Sequence, residues 1–197
     1  MPYRRSAAVQ ARLDAQEETI LRAGVSLLAE RGYAGLSINA VATEAGVATG
    51  TVYKHFASKA DLAAAVFRRA VGHEVDAVVR ASSRAGSTVE RLTAGVETFA
   101  MRALKNPRLA YALLAEPVDP AVDEQRLAYR RTFASAFETV IRDGVADGSI
   151  PPQNAALSAS ALVGAVGEVL IGPLADNPVP EAVIPELIAF SVRALGV

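Results

Sequence analysis

Cysteine does not occur among the 197 residues, which excludes disulfides, thiolate metal sites and cysteine nucleophiles together. Tryptophan is also absent, and Phe and Tyr together number 11. Against 40 alanines, that scarcity of sheet-forming aromatics rules out an all-β fold and favours helices. Lysine is rare, 3 against 17 arginines, which with the alanine excess reads as the codon supply of a GC-rich genome. Neither sign of charge dominates. The 20 basic and 21 acidic groups leave a net charge of −1, a balance that taken alone argues against a nucleic-acid partner. A clean membrane span is missing too. The longest apolar stretch, 155–174, is diluted by Ser and Gly and interrupted by Glu168, whose carboxylate would cost about 3 kcal/mol in mid-bilayer. It reads as a buried helix of a soluble protein. The opening MPYRRSAAVQAR has three arginines and no apolar core, so it does not read as a secretory signal, and a cytoplasmic location is expected.

What is present is helical punctuation. Ile20, Leu21, Ala23, Gly24, Leu27 and Leu28 keep helical spacing from Glu17 until Gly32 stops the run. Ser37 caps a short helix through Ala45, closed by Gly46, and a second short helix starts at Ala48 or Thr49. Ser58 with Asp61 forms a capping box opening a helix to about residue 81, and Thr88 opens one striped by Val89, Leu92, Val96, Phe99 and Ala103. Asn106-Pro107 and Asp119-Pro120 each place a cap before a proline, launching a short helix and then a long one to about Gly148. Pro151-Pro152 precedes a helix over 153–172; Pro173, Pro178 and Pro180 make the next connection, and a last helix covers roughly 181–195. The expected fold is all-α, with about nine helices.

Two short helices joined at Gly46 after a longer one have the plan of a helix-turn-helix, which needs small residues at the turn and the crossing. The stretch SINAVATEAGVATGTVYKHF supplies Ala42, Ala45 and Gly46 there, and Ile38, Val41, Val47 and Val52 as apolar anchors. Thr49, Gly50, Tyr53 and Lys54 remain outward, a slender polar face suited to a major groove. From Arg31 to Leu62 the chain resembles the DNA-binding domain of the tetracycline-repressor (TetR) family of bacterial transcriptional regulators. The match runs through Gly32-Tyr33, Ser37-Ile38, Val41-Ala42, Ala45-Gly46-Val47, Gly50 to Phe56, Ser58-Lys59 and Leu62.

The resemblance implies a helix-turn-helix domain over residues 1–60 and a ligand-binding and dimerisation domain over 61–197. It places Ser37, Thr51, Tyr53, His55 and Lys59 on DNA phosphates, and Asn39, Ala48, Thr49 and Lys54 facing base edges. Ala48 and Gly50 leave the reading helix little side chain, so direct readout falls on Thr49 and Lys54. Arg4, Arg5 and Arg12 read either as an arm along the DNA or as a solvated basic terminus. The charge supports the division: residues 1–60 carry a net of +2 and residues 61–197 a net of −3.

Members of the family bind inverted-repeat DNA as homodimers and are released by a small-molecule effector. For the dimer, Ala156, Ala159, Val163, Gly164, Gly167 and Leu170 form a small-residue stripe, with Ile184, Leu187 and Ile188 on the last helix as companions; the alternative is that both helices close the monomer's own core. For the effector, the candidates are polar groups on apolar stripes: Glu97, Tyr111, Arg130 and Glu168, with Met101, Phe133 and Phe137 as apolar lining. Leu127, Ala134, Phe137, Ile141 and Val145 are expected on one face with Arg130. Arg130 with Glu97 or Glu168 is either a structural ion pair or a ligand anchor. No cofactor is expected. The chain has no HExxH, no phosphate-cradling glycine loop and no Ser–His–acid set, and His73, Glu74 and Asp76 read as a solvated helix face. An enzyme is therefore not expected, and the alternative function is a DNA-binding regulator or adaptor with no effector.

Overall fold

A computed structural model describes residues 7–176 and 183–197, and among them the chain forms nine α-helices and no strand. α1 spans Ala7–Arg31, and a single 3-10 turn over Tyr33–Gly35 follows. α2 (Ile38–Glu44) and α3 (Thr49–His55) are short; α4 (Lys59–Ser82) is long. Then come α5 (Thr88–Lys105), α6 (Pro107–Leu114), α7 (Pro120–Asp147), α8 (Ala155–Asp176) and α9 (Val183–Ala194).

The caps explain most boundaries. Ser37 accepts from the Ala40 N–H, Ser58 from Asp61 and Asn106 from Leu109, so each start satisfies an otherwise orphaned donor. Ser87 and Glu90 form a reciprocal capping box at α5. Asp119 occupies the N-cap position of α7 without capping it; its carboxylate accepts from the Tyr33 hydroxyl instead, at 2.5 Å.

Two boundaries differ from the sequence reading. α1 begins ten residues before Glu17, because residues 7–16 are solvated on nearly every side and carry no apolar stripe to announce a helix. Arg12 therefore lies on α1 rather than in an arm, while Arg4 and Arg5 lie outside the described residues. α8 runs on through Pro173 to Asp176 instead of ending near residue 172; the connection expected at Pro178 and Pro180 lies outside the described residues.

α4 is the central element. Twelve of its residues are buried, and it packs on α1, α5 and α7. α1 crosses it at Gly24, where an added Cβ would lie 2.3 Å from Val66 Cγ2. Val66 is fully buried and has nowhere to go. Gly24→Ala is therefore expected to lose about 1–2 kcal/mol, overpacking outweighing the gain in helix propensity; the urea midpoint checks this. A change below about 0.5 kcal/mol would mean that α1 can slide on α4. Alongside, Arg69 grips Glu18 with a two-pronged ion pair at 2.7 Å and 3.2 Å, which holds the Glu18 carboxyl below its usual range.

Candidate nucleic-acid interface and internal cavity

The turn between α2 and α3 depends on Gly46, whose φ of +66° disfavours any side chain although open space surrounds it. Ile38, Val41, Ala42 and Val52 are buried beneath the pair, and Val47 is half-buried against them. This fixes which side of α3 faces out. Tyr53 is 54% exposed, Lys54, Ala48 and Gly50 are exposed, and Thr49 and Thr51 are half-exposed on the flanks. Ser37, the cap of α2, and Asn39 within it are exposed, and the Thr49 hydroxyl donates to Asn39 Oδ1 at 3.3 Å, tying the two helices together at this exposed face. Lys59 is exposed at the start of α4, its Nζ 5.4 Å from the centre of the Tyr33 ring.

His55 departs from its expected place on a phosphate. Its side chain is only 7% exposed and turned toward α1, with Nε2 3.2 Å from Gln16 Oε1 and Nδ1 3.6 Å from the Glu17 carboxylate. It fastens α3 to α1. Position in the chain had given no sign of this, because Gln16 and Glu17 precede the first visible apolar stripe.

The body holds a cavity of about 480 Å³, partly open to solvent, among α4, α5, α6, α7 and α8. That is within the roughly 300–1,000 Å³ usual for small-molecule sites. Its apolar wall includes Phe67, Phe99, Leu109, Leu113, Phe133 and Val163, with Phe99 and Phe133 edge to face at 5.3 Å. Its polar groups include Glu74, Arg102, Lys105, Arg126, Tyr129, Arg130 and Glu168. Glu74 is committed to Arg102 at 2.6 Å and 2.9 Å, so it is not a merely solvated member of the His73 face. Arg126 is pushed below the ordinary arginine value chiefly by burial, which Asp123 partly offsets.

Of the effector candidates, Arg130, Phe133 and Glu168 line this cavity, whereas Glu97, Met101, Tyr111 and Phe137 do not. Glu97 and Met101 point to solvent, Met101 being 54% exposed. Tyr111 is half-buried on α6. Phe137 packs into the core against Gly95, where an added Cβ would lie 2.8 Å from its ring. Among the described residues Arg130 is exposed and forms no ion pair with Glu97 or Glu168. Leu127, expected on the apolar face of α7, is 48% exposed, because the buried face turns through Val122, Phe133, Phe137, Val140, Ile141 and Gly144. Arg102, Lys105, Arg126 and Tyr129 also line the cavity and were not singled out by sequence; Arg126 and Tyr129 lie among charged neighbours on α7, and Arg102 and Lys105 fall off the apolar stripe of α5.

The expected dimer stripe divides in two. Ala159, Leu170, Ile184 and Leu187 are buried within the subunit, where they pack into its own core. Val163, Gly164 and Gly167 border the cavity, Ile188 is half-buried, and Ala156 and Gly164 are exposed. On the outer face, Leu157 (68%), Val169 (42%) and Phe190 (45%) stand out to solvent. No helix among the described residues is long and apolar enough to cross a membrane.

Residues 20–66 match the family model described as bacterial regulatory proteins, tetR family, and residues 85–170 match a tetracyclin repressor-like C-terminal domain. The chain belongs to the TetR family. Among curated TetR-family relatives, it is similar to the HTH-type transcriptional activator FasR of Mycolicibacterium smegmatis, 29% identical over 134 residues that cover 66% of this chain and 61% of that protein. A fatty acid metabolism regulator protein of Bacillus subtilis is 35% identical over 57 residues, 29% of each chain. The chain thus matches less than two thirds of the length of either relative. Solved structures show the same fold. FadR of Bacillus subtilis in complex with stearoyl-CoA superposes with a TM-score of 0.78 at 18% identity, over 90% of this chain and 98% of that one. FadR of Bacillus halodurans gives 0.74 at 20%, over 89% and 97%.

Proposed function

We propose that the chain is a DNA-binding transcriptional regulator whose affinity for an operator is lowered by an effector with a long acyl chain and an anionic head, of the fatty acyl-CoA class. One observation carries this reading: a cavity with an apolar, aromatic wall and a set of cationic groups, joined by α4 to an exposed reading helix. The fatty-acid regulators among its relatives, and the stearoyl-CoA in one of them, support the choice of effector. Residues 1–60 act as the reading head and 61–197 as the effector and dimer body, with α4 starting at the boundary. Ser37, Thr51, Tyr53 and Lys59 hold phosphates; Asn39, Ala48, Thr49 and Lys54 face bases. Two heads, brought together through the outer faces of α8 and α9, read an inverted repeat about one helical turn apart in the cytoplasm. Arg130 and Glu168 are ligand-facing groups rather than a structural pair. The effector works by population shift, binding the DNA-incompetent state more tightly.

Fluorescence anisotropy on the intergenic DNA beside the gene tests this. About eight phosphate contacts per dimer give a log–log salt slope near −7. Stearoyl-CoA at saturating concentration is expected to weaken binding by about tenfold or more, and coenzyme A alone to leave it unchanged. If the wild type and Tyr53→Ala and Lys59→Ala variants all bind equally weakly, the regulator reading fails. If DNA binding is specific but no acyl-CoA alters it, the reading without an effector takes its place. The match to an activator favours a second reading of the output, in which the DNA-bound form promotes transcription. A reporter fused to the adjacent promoter, in cells with and without the gene, gives the sign.

A further inference from the structure

Arg126 lies in the cavity wall, its guanidinium carbon 5.9 Å from the centre of the Phe67 ring, yet most of its hydrogen bonds go to the end of α6 and the segment after it. Nε donates to the Leu113 carbonyl at 3.1 Å, and Nη2 donates to the Ala112 carbonyl at 3.3 Å and the Glu116 carbonyl at 2.7 Å. Nη1 donates to Asp123 Oδ1 at 2.9 Å. A guanidinium has five N–H donors, so four are committed, and three of them gather the C-terminal carbonyls of α6 and the segment beyond it.

That segment holds the head by its other side. The Glu116 carboxylate accepts from the backbone N–H of Tyr33 at 2.8 Å and of Ala34 at 3.5 Å. Three residues on, Asp119 accepts from the Tyr33 hydroxyl at 2.5 Å. A glycine precedes Tyr33 for two reasons: Gly32 has φ +68°, and a Cβ there would lie 2.9 Å from the Glu116 oxygens. Leu36 and the α2 cap Ser37 follow the 3-10 turn directly. Glu116 is thus held at its carbonyl by a cavity residue, while its carboxylate holds the turn that starts the helix-turn-helix.

We propose that Arg126 is the positioning residue through which the contents of the cavity set the orientation of the reading head, acting through Glu116 and Asp119 on Tyr33. The proposal rests on the effector reading above and deepens it. An acceptor oxygen of a ligand seated beside Phe67 competes with the α6 carbonyls for the N–H groups of Arg126. When those carbonyls lose the guanidinium, the 115–119 segment shifts and the grip on Tyr33 and Ala34 is lost. By reciprocity, a head held on DNA keeps the clasp closed and lowers the affinity of the cavity for ligand by the same factor.

The test uses the full-length chain and has one arm that needs no ligand. In Arg126→Lys, which keeps the charge and loses the fork, amide hydrogen exchange at Tyr33 and Ala34 is expected to rise about tenfold. Lys105→Ala, which removes a different cation of the cavity wall, should leave those two amides within about twofold of wild type. Glu116→Ala should speed them as well, and the Arg126→Lys/Glu116→Ala double variant should be no faster than Glu116→Ala alone, since both act on one path. Unchanged exchange in Arg126→Lys, equal acceleration in Lys105→Ala, or multiplying effects in the double variant would each overturn the proposal. In the second arm, Glu116→Ala is expected to retain stearoyl-CoA binding by calorimetry while the ratio of DNA affinities without and with stearoyl-CoA falls by about fivefold or more. A ratio equal to wild type would overturn it. If stearoyl-CoA leaves even wild-type DNA binding unchanged, the effector reading fails, and the exchange arm decides the role of Arg126 by itself.

Discussion

Alanine at both Tyr53 and Lys54 is expected to weaken operator binding by about a thousandfold while leaving the unfolding midpoint within about 2 °C of wild type. The two halves of that expectation have separate causes. Neither side chain supports the fold: Tyr53 is 54% exposed and Lys54 is exposed, while Val52 and Phe56 bury the opposite side of α3. Surface substitutions of this kind usually change stability by less than about 0.5 kcal/mol. On the DNA side, each contact is worth about 1–3 kcal/mol, and the proposed two-fold dimer makes each twice. At the lower end, four lost contacts amount to about 4 kcal/mol, or three orders of magnitude in affinity. Anisotropy at fixed salt, with a thermal melt of the same preparation, measures both. A loss smaller than about tenfold would mean that α3 does not enter the groove by this face.

The largest effect on stability is expected at Phe67. It is 1% exposed on the central helix α4, and its ring meets both the cavity and the Arg126 guanidinium. Phe67→Ala is expected to cost about 4 kcal/mol, near the middle of the range for buried phenylalanines. The spread within that range depends on how far the surroundings can collapse, and here they cannot collapse far. The site already borders an open volume of about 480 Å³, so deletion of the ring enlarges a void instead of drawing neighbours inward. For a chain of this size such a loss lowers the melting midpoint by about 8–16 °C. Urea denaturation of Phe67→Ala beside Phe67→Leu is the measurement. A cost below about 1 kcal/mol would place the ring in a region that repacks freely.

How much of this was legible in the sequence depends on how local each feature is. Caps, helix-stopping glycines and the Ser37-to-Phe56 stretch are written in adjacent residues, so the helices and the outward face of α3 could be read directly. The inward turn of His55 could not. It depends on Gln16 and Glu17, 39 and 38 positions away, on a part of α1 with no apolar periodicity. Burial within α8 was legible as a period but not as a direction: small residues occur on its core-facing side, at Ala159, on its cavity side, at Gly164 and Gly167, and on an exposed side, at Ala156. The cavity was half legible. Phe133, Arg130 and Glu168 stood out as polar or aromatic exceptions, but Arg126 sits among charged neighbours, and only the fold makes it a cavity residue. Asp119 shows the same limit from the other side. Its place before Pro120 marks a helix start correctly, while its carboxylate serves a tyrosine 86 positions earlier.

The length of α4 has a mechanical consequence. Its 24 residues form a rod of about 36 Å, and Glu74, in the cavity wall, lies about 22 Å along it from Lys59 beside the reading head. Over that arm, a tilt of about 8° at the cavity end displaces the head by about 3 Å, close to the rise of one base pair. In the proposed dimer, two heads displaced in opposite senses by the two-fold axis change their separation by about twice that. A small rotation at the cavity is therefore enough, once geared through this rod, to put one head of the proposed pair out of step with the groove.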